Sequence, residues 1–117
     1  MIDASCHCGA IRFAVEAAPA DVNDCDCSIC HRYGALWAYY HPSQVRFETG
    51  SGPTEVYMWG DRMLGFHRCR SCGCITHWSA VAQTWPCMGV NARMMPPEVL
   101  ASVPVLRNGQ PAHRDES

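Results

Sequence analysis

The sequence has no lysine, few large aliphatic side chains and no long hydrophobic run. The absence of lysine excludes Schiff-base chemistry at a lysine and the lysine of a phosphate-binding loop. No stretch approaches about 18 consecutive apolar residues, so we predict no membrane-spanning helix. The 9 basic and 11 acidic side chains leave a formal net charge of −2. We therefore predict no nucleic-acid partner and no membrane partner.

The first residues of the sequence also lack the pattern of a secretory signal. They contain no basic segment followed by an apolar one. We therefore expect a cytoplasmic protein, in a compartment that keeps thiols reduced.

The hydrophobic core must be small for a chain of 117 residues. The hydrophobic fraction of 48% includes 9 cysteines and 13 alanines, whereas Ile, Leu, Val and Phe together number only 20. We predict one domain spanning 1–117, with the polar segment 108–117 as a frayed tail. A cross-link would help so thin a core to fold.

The nine cysteines are closely spaced, and they are the obvious source of such a cross-link. Their odd number and the reducing compartment argue against a disulfide framework. Near neighbours in sequence are poorly placed for disulfides with each other, but short turns bring thiolates close enough for a shared metal ion. We predict that some of them bind metal. The alternative is that they are reduced cysteines buried as small hydrophobic residues.

Short alternating segments between turn signals predict a mainly-β fold. In one of them Ile11, Phe13 and Val15 alternate with more polar residues. We expect a connection at 17–23 and an irregular loop or short turn at 24–34. The strands and the one short helix are predicted at 10–16, 35–40, 45–48, 55–59, 64–69, 75–79 and 89–91, with the helix at 96–102.

Four cysteines form two compact turns about sixty residues apart, Cys6 with Cys8 and Cys69 with Cys72, each followed by glycine. Glycine tolerates the backbone conformation that a turn around a metal needs. Together they predict a closed four-thiolate zinc site, which is structural by preference. It would tie the N-terminal strand to the middle of the chain, so that metal affinity becomes folding stability.

Three further cysteines, Cys25, Cys27 and Cys30, lie within six residues and have no fourth partner at comparable spacing. Three protein ligands with an open position are typical of a catalytic zinc. Two alternatives stay open. Either His31, Asp26 or a distant cysteine closes the site, or the thiols bind no metal and have no role.

Three segments carry a family pattern: SCHCGAIRF at 5–13, CDCSICHR at 25–32 and CRSCG at 69–73. The chain resembles the glutathione-dependent formaldehyde-activating enzyme family, which also includes centromere protein V, over residues 5–91. The resemblance implies a mainly-β fold with a zinc-ribbon-like centre. It implies a structural zinc on the first four cysteines and a catalytic zinc on the other three. The activity it implies is that of a carbon–sulfur lyase, written as the addition of glutathione to formaldehyde to give S-hydroxymethylglutathione.

The mechanism that follows is a hypothesis. The open zinc holds a small, glutathione-like thiol as its thiolate, the thiolate attacks a carbonyl carbon, and a donor such as His31 or Tyr39 protonates the alkoxide. The other interpretation of His31 is that it contacts a metal ligand without reaching the substrate, or lies on the surface. For Arg32 two interpretations stay open, a contact with a glutathione carboxylate or a solvated side chain.

Two cysteines fall outside both groups. Cys74 stands where family members commonly carry threonine, and Cys87 is isolated; we expect both to be buried small residues. Several aromatic residues either line a pocket or pack in the core, namely Trp37, Tyr39, Tyr40, Trp78 and Trp85. Two rival functions remain, a non-catalytic zinc-stabilised binding module of the same fold and a thiol redox protein.

Overall fold

The computed structural model describes residues 1–82, 85–108 and 110–111. These residues form two short helices, α1 Ser28–Tyr33 and α2 Pro97–Leu100, and single 3-10 turns at Pro42–Gln44 and Ala92–Met94. The strands, in chain order, are β1 Ile2–Ser5, β2 Arg12–Val15, β3 Val22–Asp24, β4 Trp37–Tyr40, β5 Val45–Phe47, β6 Thr54–Tyr57, β7 Leu64–Cys69, β8 Ile75–Ala80, β9 Met88–Asn91, β10 Val105–Arg107 and β11 Gln110–Pro111.

The strands form two sheets, which confirms the mainly-β fold. The smaller sheet has the order β1-β2-β5 and the larger one β11-β10-β3-β4-β9-β8-β7-β6. Neighbouring strands are antiparallel except β10 and β3, which are parallel. Neither helix in the described residues is long or apolar enough to cross a membrane.

The main core lies between β2 of the smaller sheet and the centre of the larger sheet. Ile11, Phe13 and Val15 are each no more than 1% exposed, which confirms the inward face of the strand predicted at 10–16. The core is built largely from small or medium side chains, as the composition requires: Ala4, Phe13, Val15, Val22, Ala38, Tyr40, Met88, Val90, Ala92 and Met95.

A second core supports α1 on the larger sheet. Trp37 on β4, Phe66 on β7 and Trp78 on β8 pack with Cys30 and Ala35. Aromatic residues bury a large area each, so a few of them replace the aliphatic residues that the chain lacks. This core fixes the helix that carries the second group of cysteines.

Two sequence-based expectations were wrong. The predicted connection at 17–23 runs into β3, whose Val22 and Asn23 pair with Val105 and Leu106 of β10. The expected irregular segment at 24–34 contains α1. A partner more than eighty residues away leaves no local pattern in the sequence.

Part of the tail that we expected to fray takes part in the larger sheet. The Asn108 N–H donates to the carbonyl of Asp24 at 3.1 Å, and β11 pairs with β10. Residue 109 and residues 112–117 lie outside the described residues.

Candidate metal centres

The four-cysteine cluster consists of Cys6, Cys8, Cys69 and Cys72, whose sulfur atoms all lie within 4.8 Å of one another. The Cys8 sulfur is 3.7 Å from that of Cys6 and 3.6 Å from that of Cys69. Cys6 and Cys8 belong to the turn between β1 and β2, whereas Cys69 ends β7 and Cys72 lies in the turn between β7 and β8. The cluster therefore joins the smaller sheet to the larger one.

The two turns have the same construction. Each is followed by a glycine in the left-handed region, with φ 82° at both Gly9 and Gly73. The first cysteine of each turn donates its N–H to the carbonyl five residues on, from Cys6 to Ile11 at 3.0 Å and from Cys69 to Cys74 at 2.9 Å. Backbone N–H groups also reach the sulfurs, Ile11 to Cys6 at 3.3 Å and Ser71 to Cys69 at 3.4 Å.

Two thiols of this cluster differ widely in pKa. The N–H groups of Cys74 and Cys8 hold the pKa of the Cys72 thiol at about 5. The Ala10 N–H lowers the pKa of the Cys8 thiol, but the sulfur of Cys69 and burial outweigh it and raise that pKa to about 11. A cation that takes all four as thiolates must therefore displace protons, so its affinity depends on pH.

The residues of the four-cysteine cluster fit a zinc ion. Zn–S bonds of about 2.3 Å place tetrahedral sulfurs about 3.8 Å apart. The sulfur separations of 3.6 and 3.7 Å match this spacing. Cys6 and Cys69 are 2% exposed, so two of the four sulfur ligands are shielded from solvent.

The three-cysteine cluster consists of Cys25, Cys27 and Cys30, whose sulfur atoms also lie within 4.8 Å of one another. Cys27 is the N-cap of α1, and its sulfur accepts the N–H of Cys30 at 3.4 Å. Gly34 ends the helix in a left-handed conformation with φ 65°. This short helix brings the three thiols together.

The three thiols of this cluster differ in pKa because their surroundings differ. Burial raises the pKa of Cys30 to about 12, although the indole N–H of Trp37 lies 3.3 Å from its sulfur and favours the thiolate. Burial raises the pKa of Cys25 as well. At Cys27 burial acts in the same direction, but the N–H of Cys30 and other donors outweigh it and lower the pKa. Cys27 is therefore the first of the three to become a thiolate.

The three-cysteine cluster opens into a cavity of about 370 Å³. Its lining is mostly apolar and aromatic and includes Trp37, Tyr39, Trp59, Phe66 and Trp78. No fourth His, Cys, Asp or Glu of the described chain joins the cluster. Three sulfur ligands beside an accessible apolar space are the arrangement in which a metal keeps a position for substrate.

The structure separates the two candidate proton donors. Tyr39 lines the cavity, and its hydroxyl oxygen accepts an N–H from Asn23 at 2.9 Å. Burial raises the pKa of Tyr39, so the hydroxyl keeps its proton at neutral pH. His31 is exposed on α1 and is absent from the cavity lining.

Other residues singled out in the sequence lie around these centres. Cys74 is half-buried beside the four-cysteine cluster, and Cys87 is half-buried against the second core. Trp85 is 45% exposed and stacks on Trp78 at 5.9 Å. Tyr40 is buried in the main core.

Two features of the cavity were not predicted from the sequence. Trp59 and Asp61 line it from the turn between β6 and β7. The sequence indicates this part of the cavity wall only by Trp59 followed by Gly60 and Asp61. The N–H contact from Trp37 to sulfur depends on packing between β4 and α1, which no spacing rule contains.

Fold and clusters define a small mainly-β domain with two cysteine clusters, each able to hold a zinc ion. The chain belongs to the family of the glutathione-dependent formaldehyde-activating enzyme, whose model matches residues 1–99. This confirms the resemblance seen in the sequence.

A solved structure supports the assignment. The crystal structure of a Rhodobacter sphaeroides protein is 34% identical, with a TM-score of 0.72, and the match covers 89% of this chain and 99% of that chain. A comparison with curated proteins gives no match.

Proposed function

We propose that the chain is a zinc-dependent carbon–sulfur lyase that joins a small, glutathione-like thiol to a small aldehyde, formaldehyde in the reaction that names the family. The observation that carries the proposal is the three-cysteine cluster at the wall of the aromatic cavity. The family is associated with the same chemistry. The four-cysteine cluster is assigned the structural zinc.

Cys25, Cys27 and Cys30 would hold the second zinc ion. Bound there, zinc supplies Lewis acidity that lowers the pKa of a substrate thiol and keeps it as a thiolate at neutral pH. Trp37 fixes the sulfur of Cys30 with its N–H, and Cys27 is fixed by the first turn of α1.

The cavity residues then act on the reacting carbonyl. Phe66, Trp37 and Trp78 exclude bulk water and leave room for a small aldehyde. The substrate sulfur forms a bond to the carbonyl carbon, and the electron pair of the C=O π bond moves to oxygen. The substrate thiol releases its proton to solvent when it becomes a thiolate. Tyr39 gives its hydroxyl proton to the carbonyl oxygen and regains one from solvent, so the net reaction adds the thiol across the carbonyl.

The test combines a zinc count with one substitution in protein purified without chelator. We expect two zinc ions per wild-type chain and one in Cys27→Ala, together with loss of turnover of glutathione and formaldehyde. Cys87→Ala is the matched control, because Cys87 is half-buried near the cavity but outside both clusters.

Two outcomes would contradict the proposal. One tightly bound zinc with full activity in Cys27→Ala would exclude a reaction at the three-cysteine cluster. Two zinc ions without turnover of any thiol would favour the non-catalytic binding module.

A further inference from the structure

A second groove, also of about 370 Å³, lies beside the cavity. The two spaces share Ile29 and Trp59. We call the second space the arginine groove; its other lining residues are Ser28, Arg32, Tyr33, Tyr57 and Arg68. A molecule bound at the three-cysteine cluster could therefore extend past Trp59 into this groove.

Helix α1 separates the two spaces. Cys30 lies on the cavity side, whereas Ser28 and Arg32 line the groove. Residues four apart lie on the same face of a helix, and the Arg32 Nη1 accordingly donates to the Ser28 carbonyl at 2.8 Å. This bond holds the guanidinium on the helix face turned away from the thiols.

The second arginine of the groove belongs to β7. Arg68 Nη2 lies 2.8 Å from Glu55 Oε1, and Arg70 Nε lies 4.0 Å from the other carboxylate oxygen of Glu55. Two guanidinium groups share one carboxylate, so a net positive charge remains. Arg32 adds another, and no carboxylate of the described residues lines the groove itself.

This concentration of positive charge stands out in a chain with a formal net charge of −2 and no lysine. Guanidinium groups bind carboxylates with two parallel N–H donors, which a point charge cannot do. Tyr57 and Trp59, 48% and 44% exposed, add aromatic surface against which a peptide-like backbone can lie.

We propose that the arginine groove binds the carboxylate end of an anionic thiol whose sulfur lies at the three-cysteine cluster, which makes Arg32 and Arg68 specificity-determining residues. This inference rests on the proposed function. It predicts that acidic peptide thiols are preferred over neutral thiols of similar size.

The test measures binding rather than turnover. The probe is S-methylglutathione, which keeps both carboxylates but has no thiol, titrated calorimetrically into the full zinc-loaded chain. We expect Arg32→Gln and Arg68→Gln each to weaken binding by about threefold to tenfold, the range for exposed charge-assisted contacts. Glu55→Gln removes the competing carboxylate and should tighten binding by about twofold.

The matched control is Arg46→Gln, an exposed arginine on β5 that lines neither space. Its binding constant should equal that of the wild type. The dimethyl ester of the probe should bind more weakly to the wild type and equally to all variants. Circular dichroism verifies that each variant is folded.

Each remaining outcome decides between the two proposals. A wild type that does not bind the probe, or unchanged binding in both groove variants, overturns the groove assignment. Equal KM values for glutathione and its dimethyl ester would overturn it too, and would leave the proposed function standing. Arginine-dependent binding of the probe without turnover of any thiol would overturn the proposed function and leave a carboxylate-binding groove.

Discussion

Nearly every sulfur that the structure places close to another sulfur also receives an N–H. Hydrogen bonds to a thiolate favour the charged form and fix the direction of its lone pairs. In most of these contacts the donor is a backbone N–H, as at Cys6, Cys27 and Cys69, and any residue other than proline at that position would supply it. The exception is Cys30, whose sulfur receives the indole N–H of Trp37. That contact alone can be removed by a side-chain substitution.

We predict that Trp37→Phe weakens zinc binding at the three-cysteine cluster. Phenylalanine keeps an aromatic ring in the 1% exposed site but has no N–H for the Cys30 sulfur. Removing such a partner of a metal ligand typically costs about 10-fold to 100-fold in affinity. Competition with a chromophoric chelator measures the two zinc ions separately.

Trp85→Phe is the control for that experiment. Trp85 stacks on Trp78 but is 45% exposed, and within the described chain it donates no hydrogen bond to a sulfur. The tighter of the two zinc ions should be unaffected in both variants. Equal zinc affinities in Trp37→Phe and the wild type would show that the indole N–H has no part in holding the metal.

A second residue-scale prediction concerns proton donation. Tyr39→Phe should lower kcat by about 100-fold, at the low end for a general acid, with a smaller change in KM. His31→Gln should have little effect, because His31 is exposed outside the cavity.

The pH dependence follows from Tyr39. Burial raises the pKa of Tyr39 above its ordinary value of 10.0, so the hydroxyl stays protonated and can donate its proton through pH 9. Steady-state kinetics of both variants across pH 6 to 9 measure this, and a kcat loss confined to His31→Gln would reverse the assignment.

Helix α1 shows how much of the site could be predicted from the sequence. Spacing alone separated the cysteines into two groups, because ligands of one metal must be brought together by short turns. It did not reveal the helix, which has six residues, no apolar periodicity and a cysteine instead of Ser, Thr, Asp or Asn as its N-cap. The positions of His31 and Arg32 therefore could not be predicted from the sequence. The structure places His31 outside the cavity and Arg32 in the neighbouring groove.

The strand predictions were correct for the local hairpin of β7 and β8, but the three-residue strand β3 was not predicted. The segments at 64–69 and 75–79 form the hairpin of β7 and β8, and both were predicted. β3 has three residues and takes its hydrogen bonds from β4 and from β10 near the other end of the chain. Backbone hydrogen bonds to a distant segment depend on the whole fold, so composition around Val22 carried no signal.

The pairing of β8 with β9 gives a prediction at the scale of elements. Trp78 lies opposite Gly89, and its indole occupies the space that a Cβ on Gly89 would fill. Gly89→Ala should displace the indole into the cavity, lower the free energy of unfolding by about 1 to 3 kcal/mol and raise KM. Denaturant unfolding and steady-state kinetics measure the two effects.

Gly52→Ala is the control, because a Cβ there meets only the Ala10 carbonyl at 4.0 Å. It should change stability by less than about 1 kcal/mol. Equal stability and equal KM in Gly89→Ala and Gly52→Ala would mean that Trp78 can move without cost, and the cavity wall would not depend on this glycine.

At the scale of the whole molecule, the four-cysteine cluster and the main core join the same two sheets. β1 and β2 contribute Ala4, Phe13 and Val15 to the core, and the turn between them contributes Cys6 and Cys8 to the cluster. A filled cluster therefore stabilises the sheet interface that also contains most of the thin core. The three-cysteine cluster is instead supported by α1 and the second core. We therefore predict that the two clusters respond differently to metal removal.

We predict that a strong chelator first abolishes turnover and only later unfolds the chain. The three-cysteine cluster has one ligand fewer, and it opens into a cavity, so its zinc exchanges with solvent more readily. Loss of the second ion should then lower Tm on the order of 10 °C, because zinc binding to the native state contributes directly to stability. Calorimetry during stepwise chelation follows the loss of each zinc ion and the change in Tm.

Cys72→Ser should reproduce the fall in Tm without chelator. Cys74→Ser is the control, because Cys74 is two residues away and outside the cluster, and this variant should keep both zinc ions. Turnover that survives until the unfolding step would place the reactive metal in the four-cysteine cluster, and an unchanged Tm in Cys72→Ser would mean that the sheets are held together by the core alone.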